Sequence, residues 1–118
     1  SVSEHVKAGE DYITAARRGI WEELGLEGVD LRPIVRFRMN YGPNDNEIST
    51  LFRGQVEPAR VRFDPVEIER VDYCRLDELK NIMREESLPL SRWFVEMLRW
   101  SFDQPSEMKI IETHSRPR

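Results

Sequence analysis

The hydrophobic positions near the start of the chain recur at spacings of three and four residues, which is typical of one buried helical face. Glu10 and Asp11 precede this pattern, at the helix end where the dipole favours negative charge. Gly25 follows the pattern and is suited to end a helix in a left-handed conformation. The sequence therefore predicts a helix that begins near residue 10 and ends before Gly25. Its apolar face carries Ile13, Ala16, Ile20 and Leu24.

Mixed apolar and polar segments predict strands in the middle of the chain. Residues 31–39 and 48–56 form such a pair, and the polar segment 40–46 between them predicts the loop of a hairpin. A third strand is predicted within residues 66–76. We also expect residues 1–6 to include the end of a strand.

The last third of the chain predicts two short helices and a final strand. Asp77 and Ser91 are placed to begin the helices, and the first of them extends through Glu85. Residues 108–113 have a strand-like pattern inside an expected tail at 105–118. Because strands and helices mix without a regular alternation, the predicted fold class is α+β with a mixed sheet. The predicted helix that begins at Ser91 has an apolar side formed by Trp93, Phe94, Met97, Leu98 and Phe102.

Length and composition limit the class of protein. The 118 residues suit one domain that spans 1–118. No apolar run approaches the roughly 20 residues of a membrane helix, and the formal net charge of −4 argues against binding to duplex nucleic acid. Cys74 is the one cysteine, so an intramolecular disulfide and a cysteine-based zinc cluster are both excluded. We expect a cytoplasmic protein that does not bind a membrane.

Two adjacent acids, Glu22 and Glu23, lie near the end of the predicted first helix, and Glu10 lies at its start. Adjacent helical side chains point about 100° apart, so both carboxylates can border one cleft. Oxygen-rich clusters bind hard cations such as Mg²⁺ or Mn²⁺, which bridge phosphate oxygens and activate water. Adjacent glutamates are also common on the solvated face of an amphipathic helix. The pair alone therefore leaves both interpretations open.

The spacing around these acids resembles the Nudix box. That box has Gly, five residues, Glu, seven residues, Arg-Glu, an aliphatic residue, any residue, Glu-Glu, any residue, Gly and an aliphatic residue. The resemblance implies an α/β/α sandwich and metal-dependent hydrolysis of a diphosphate linked to another group. The seven matching residues are Glu10, Arg18, Ile20, Glu22, Glu23, Gly25 and Leu26.

Two positions depart from the box. The opening Gly is Glu4 in this chain, and the Glu that should follow Arg18 is Gly19. A glutamate at position 19 would lie one turn before the Glu pair on the same side of the helix, so its loss removes an anionic ligand. If the site is that of a decayed hydrolase, we expect Gly19→Glu to raise metal affinity.

The resemblance implies a site for Mg²⁺ or Mn²⁺ in which Glu22 and Glu23 are metal ligands and catalytic residues. Glu10 supports them as a neighbouring metal-site acid. Arg18 is expected to form a structural ion pair rather than to touch the substrate.

A second resemblance links the chain to isopentenyl-diphosphate isomerases and to a group of hydrolases similar to them. It implies that His5 and Asp45 are further metal ligands and that Glu47 is a base or an additional ligand. Ser3 stands where the isomerases have their catalytic cysteine, and a hydroxyl is a much weaker acid than a thiol. The matching segments are 1–5, 44–48, 66–79 and 89–94.

These observations leave three functions open. The first is a diphosphohydrolase of reduced or full activity, the second is an inactive Nudix-like binding domain, and the third is an isomerase of prenyl diphosphates. The expected partner is a small molecule that contains a diphosphate. Arg36 and Arg38 either contact its phosphates or are exposed residues of the predicted strand.

The family fold usually has strands before the box, and few residues precede it here. The resemblance thus implies an N-terminally shortened Nudix-like sandwich. Because an unpaired sheet edge tends to recruit another strand, we expect a homodimer formed through a sheet edge or through the strand at 108–113.

Overall fold

The computed structural model describes residues 1–114 and contains three helices and three strands in that range. Two compact units are present, Ser1–Ile34 with Thr50–Val71, and Val35–Ser49 with the chain from Asp72 onward. None of the described helices is long and apolar enough to cross a membrane. The elements are α1 (Tyr12–Leu24), β1 (Arg32–Asn40), β2 (Asn46–Arg53), a 3₁₀ turn (Pro58–Arg60), α2 (Leu76–Glu85), α3 (Arg92–Ser101) and β3 (Lys109–Thr113).

The strands form one sheet in the order β2-β1-β3. β1 pairs antiparallel with β3, with Val35 opposite Thr113 and Phe37 opposite Ile110, and the register shifts at a bulge between Arg36 and Phe37. Helices and a sheet without regular alternation confirm the α+β class. The final strand that was predicted inside the tail is present, whereas residues 115–118 of that tail lie outside the described residues.

Helix α1 begins and ends as its sequence predicts. Asp11 is the N-cap, and its Oδ1 accepts a hydrogen bond of 2.9 Å from the Thr14 N–H. Gly25 ends the helix with φ of 64°, and its N–H donates to the Trp21 carbonyl. The buried positions of α1 are Ala15 and Gly19, whereas the predicted apolar face is half-buried. A stripe of small residues therefore lets neighbouring chain approach α1 closely.

The second unit contains both buried apolar side chains and a buried carboxylate. Glu96 of α3 is 4% exposed, and its Oε1 accepts a hydrogen bond of 2.7 Å from the Glu107 N–H. Its Oε2 accepts from Arg99 Nη1 at 3.0 Å, so the buried charge is paired. The buried apolar side chains of this unit are Val35, Phe37, Met39, Leu98, Trp100 and Met108.

Two predicted strands are absent from the described residues. Residues 1–6 have no strand, and the segment 66–75 contains turns and irregular chain before α2 begins. The second prediction was wrong because Asp64 organises a turn: its Oδ1 accepts from the Val66 N–H, and its carbonyl accepts from the Glu67 N–H. Val66 lies in this turn and is 88% exposed.

Gly25 is required for more than the end of a helix, because a Cβ at this position would lie 2.8 Å from the Arg62 carbonyl oxygen. Gly28 also has positive φ, at 69°, but nothing lies within 4 Å of its Cβ position.

We expect Gly28→Ala to lower the free energy of unfolding by about 1–2 kcal/mol through backbone strain alone. Gly25→Ala should cost clearly more, because backbone must also move. Urea denaturation of both variants measures the difference, and equal losses would contradict the contact.

Candidate functional site

The guanidinium of Arg18 connects the N-terminal segment to α1. Its Nε donates to Glu10 Oε2 at 3.1 Å, and its Nη2 donates to Glu10 Oε1 at 2.9 Å and to the His5 carbonyl at 2.8 Å. Its Nη1 lies 3.2 Å from Glu4 Oε1, and the side chain is 18% exposed. Bidentate, charge-assisted contacts of this kind fix geometry as well as adding energy. Arg18 therefore forms the structural ion pair that the sequence suggested.

Glu10 is held by the protein through both of its carboxylate oxygens. Besides the two bonds from Arg18, its Oε1 accepts a hydrogen bond of 2.9 Å from the Lys7 N–H. The bonds from Arg18, and then the one from Lys7, lower the pKa of Glu10 to about 2. Glu10 is thus an ionised carboxylate that orients Arg18, and its role as a metal ligand stays a prediction.

A cavity of about 560 Å³ lies in the first unit beside the C-terminal half of α1. Glu22 and Glu23, the two acids that the box predicts, both line it. Glu22 Oε2 also lies 3.7 Å from Arg18 Nη1, which joins the cavity to the Arg18 network. Five of the six lining residues carry a carboxylate; the six are Ser3, Glu4, Glu22, Glu23, Asp64 and Glu67.

Glu23 is the residue of this cavity that best fits a cation. Its Oε2 is buried and has no hydrogen-bond partner in the described structure, and a buried oxygen without a partner is costly. Burial raises the pKa of Glu23, and the charge of Glu4 adds to the effect. The N-terminal amine opposes the increase, whereas Glu22 and Glu67 make smaller contributions that raise the pKa. A bound cation would satisfy the oxygen and neutralise the repulsion, so this donor set suits a hard divalent ion.

The carboxylates of the cavity do not form a coordination sphere in this structure. Within residues 1–114, no group of three or more His, Cys, Asp or Glu side chains stands in a metal-holding arrangement. Like charges at one cavity repel one another, which favours side-chain positions that keep them apart. Side-chain movement would therefore accompany binding of an ion.

Asp64 and Glu67 reach this cavity because the segment after the 3₁₀ turn packs against the end of α1. The Arg62 N–H donates to the Leu24 carbonyl at 2.8 Å, and Gly25 allows this close approach. The turn that follows then presents both acids to the cavity. The sequence did not predict either acid as a site residue, although Asp-Pro at 64–65 is a turn signal that could have excluded Glu67 from the predicted strand.

The remaining predicted ligands lie elsewhere in the chain. His5 belongs to the first unit and is exposed, with its main chain held by Arg18, but it does not line the cavity. Asp45 and Glu47 belong to the second unit, where Asp45 is exposed at the hairpin loop and Glu47 is half-buried. Burial, followed by the charge of Glu47, raises the pKa of the Tyr41 hydroxyl there. The predicted roles of His5, Asp45 and Glu47 stay predictions.

A second cavity, of about 770 Å³, lies in the second unit, and three of its eight lining residues are basic. Arg38 lines it together with Arg92 and Lys109, and Arg92 forms an ion pair with Glu107. Arg36, on the same strand as Arg38, is half-buried and does not line it. Such a surface suits an anion, but the predicted contact of Arg36 or Arg38 with substrate phosphate stays a prediction.

Comparison with known proteins identifies the class to which this fold and acidic helix belong. The family model for the NUDIX domain matches residues 1–94, which cover most of the chain and all of α1. The chain therefore belongs to the Nudix family. Searches of curated proteins and of solved structures gave no significant match. Nudix hydrolases generally use divalent metal ions, which agrees with the carboxylate-lined cavity beside α1.

The Arg18 network predicts that the N-terminal segment loosens when the guanidinium is removed. We expect Arg18→Gln to speed amide hydrogen exchange at Lys7 by roughly tenfold, because Glu10 then loses its strongest donor and orients the segment less firmly. Arg17→Gln is the matched control, since Arg17 is exposed on the same helix. Exchange at Lys7 that is unchanged by Arg18→Gln would show that other contacts hold the segment.

Proposed function

We propose that the chain is a Mg²⁺- or Mn²⁺-dependent hydrolase that acts on a small molecule containing a diphosphate linked to another group. The single observation that carries the proposal is the buried, unpartnered Oε2 of Glu23. Glu23 lines a carboxylate-rich cavity and belongs to α1, the helix whose sequence resembles the Nudix box. Burying a carboxylate oxygen without a partner is costly, and a bound cation would offset that cost.

The residues of the first unit divide into two roles in this proposal. Glu22 and Glu23 hold the ion, and Arg18 keeps the first of them in place through its contact with Glu22 Oε2. Glu10 positions Arg18 by accepting two hydrogen bonds from its guanidinium. A divalent ion bound there would neutralise diphosphate charge and lower the pKa of a bound water.

To test this function, the protein is incubated with a panel of diphosphate compounds, and the release of phosphate and other hydrolysis products is measured. We expect turnover with Mg²⁺ or Mn²⁺ and none after chelation. Glu23→Gln should lower turnover by at least about a hundredfold, because it removes a charged metal ligand. Glu27→Gln is the control, since Glu27 is exposed and does not line the cavity. Metal-independent turnover, or none across the panel, would refute the proposal.

The same panel separates hydrolysis from the isomerase chemistry that the second resemblance raised. It should include prenyl diphosphates, with double-bond migration followed alongside phosphate release. Ser3 lines the acidic cavity, and its hydroxyl is a much weaker acid than a thiol and therefore a poor proton donor to an alkene. We therefore expect phosphate release without double-bond migration.

We further propose that the active form is a homodimer that pairs through β3. This strand lies at one edge of the sheet, all five of its residues are exposed, and Ile110 and Ile111 are 41% and 52% exposed. Edge strands with exposed apolar residues recruit further strands. A second copy of the chain can offer the same edge in an antiparallel, self-complementary arrangement.

Light scattering after size exclusion tests the dimer. We expect twice the mass of the chain at micromolar concentration, and a shift toward monomer in Ile111→Lys because a buried charge would oppose pairing. Val66→Lys is the control, since Val66 is also exposed but lies outside the sheet. A monomer at every concentration up to the micromolar range contradicts the proposal.

A further inference from the structure

The two positions at which the chain departs from the Nudix box are in contact with each other. One departure puts a carboxylate at position 4 in place of Gly, and the other puts Gly at position 19 in place of Glu. A Cβ at Gly19 would lie 3.1 Å from the Cβ of Glu4 and 3.2 Å from Cγ1 of Val2. The side chain of Glu4 therefore packs into the space that a side chain at position 19 would use.

The position of Glu4 relative to the acids of α1 follows from helix geometry. Residue 19 lies three and four residues before Glu22 and Glu23, so all three positions share one face of α1. Because the N-terminal segment packs over Gly19, the side chain of Glu4 lies on the face of α1 that carries Glu22 and Glu23. Glu4 lines the cavity with Glu22 and Glu23, and its charge contributes to the raised pKa of Glu23.

Local contacts hold the Glu4 carboxylate in place. Its Oε1 accepts a hydrogen bond of 3.2 Å from the His5 N–H and lies 3.2 Å from Arg18 Nη1. Arg18 also binds the His5 carbonyl, so the main chain next to Glu4 is anchored to α1 as well. The side chain is 26% exposed, which leaves the carboxylate accessible from the cavity.

We propose that Glu4 supplies to the metal site the carboxylate that Gly19 lacks, so that the two departures from the box are one exchange of side chains between the N-terminal segment and α1. This inference rests on the proposed function, because it assigns a residue to the same cation site. In this exchange the number of carboxylates near the ion is kept, while one of them is carried by the N-terminal segment instead of the helix. The box is therefore rearranged rather than weakened.

The exchange changes the expected effect of Gly19→Glu. A side chain at position 19 must displace Glu4 and Val2 by a few tenths of an ångström, so the single substitution disturbs the segment that it was expected to help. Glu4→Gly removes that obstacle and the carboxylate at once. The double variant Glu4→Gly/Gly19→Glu has the residues of the family's box at both positions.

Binding of Mn²⁺ alone, measured by calorimetry and by the loss of the free-ion electron paramagnetic resonance signal, tests the exchange without a substrate. We expect Glu4→Gln, which keeps the size of the side chain, to weaken Mn²⁺ binding by at least about tenfold. Glu27→Gln should bind like the unmodified chain. Gly19→Glu should not bind more tightly, and the double variant should return to within about threefold of the unmodified chain, since a carboxylate is restored. Thermal melting monitored by circular dichroism checks that each variant is folded.

The outcomes separate this inference from the proposed function. Mn²⁺ binding by the unmodified chain that Glu4→Gln leaves unchanged overturns the exchange and leaves the hydrolase proposal standing. A double variant as weak as Glu4→Gly also overturns it, because the carboxylate at position 19 then fails to replace Glu4. Recovery in the double variant, which lacks the Glu4–Arg18 ion pair, shows that the carboxylate itself and not the ion pair supports binding. No Mn²⁺ binding by the unmodified chain overturns both proposals.

Discussion

The ion pair between Arg18 and Glu10 is the interaction on which the first unit depends. Both partners lie largely out of solvent, with 18% and 14% of their side chains exposed, and each uses several hydrogen-bonding atoms. Arg18 also binds the carbonyl of His5, so one guanidinium links α1 to the chain that precedes it. An irregular segment has no ladder of its own hydrogen bonds, and such bridging contacts give it a defined position.

The position of this segment determines the charge of the cavity beside α1. The segment lies next to Gly19 and adds Glu4 to the Glu22–Glu23 pair, while the turn at Asp64 adds two further acids. Each added carboxylate raises the electrostatic cost of keeping the others ionised. Burial of the Glu23 carboxylate adds to that cost, because its Oε2 has no hydrogen-bond partner among the described residues. A cation bound in the cavity would therefore reduce the repulsion among these carboxylates.

The sequence predicted α1, the hairpin and the last strand because each depends on local signals. The Asp11 cap, the left-handed Gly25 and the polar loop at 40–46 act within a few residues of the element that they end or join. The third predicted strand failed because apolar residues near Val66 look the same in an exposed turn and in a strand. Asp64 and Glu67 reach the cavity through the contact of Arg62 with Leu24, which joins positions 38 residues apart. The spacing of hydrophobic residues does not reveal a contact between residues so far apart in the sequence.

The same argument applies to the two departures from the box. In a linear motif, Glu4 and Gly19 count as two independent losses, and together they indicate a weakened site. In the fold, the side chain of Glu4 packs against Gly19. A Cβ at position 19 would lie 3.1 Å from the Cβ of Glu4, so side chains at both positions would require one of them to move. A steric constraint thus couples the two positions whatever the ligand is. Glycine at position 19 is consistent with a requirement for close packing of the N-terminal segment, and the motif alone gives no means of distinguishing that requirement from decay.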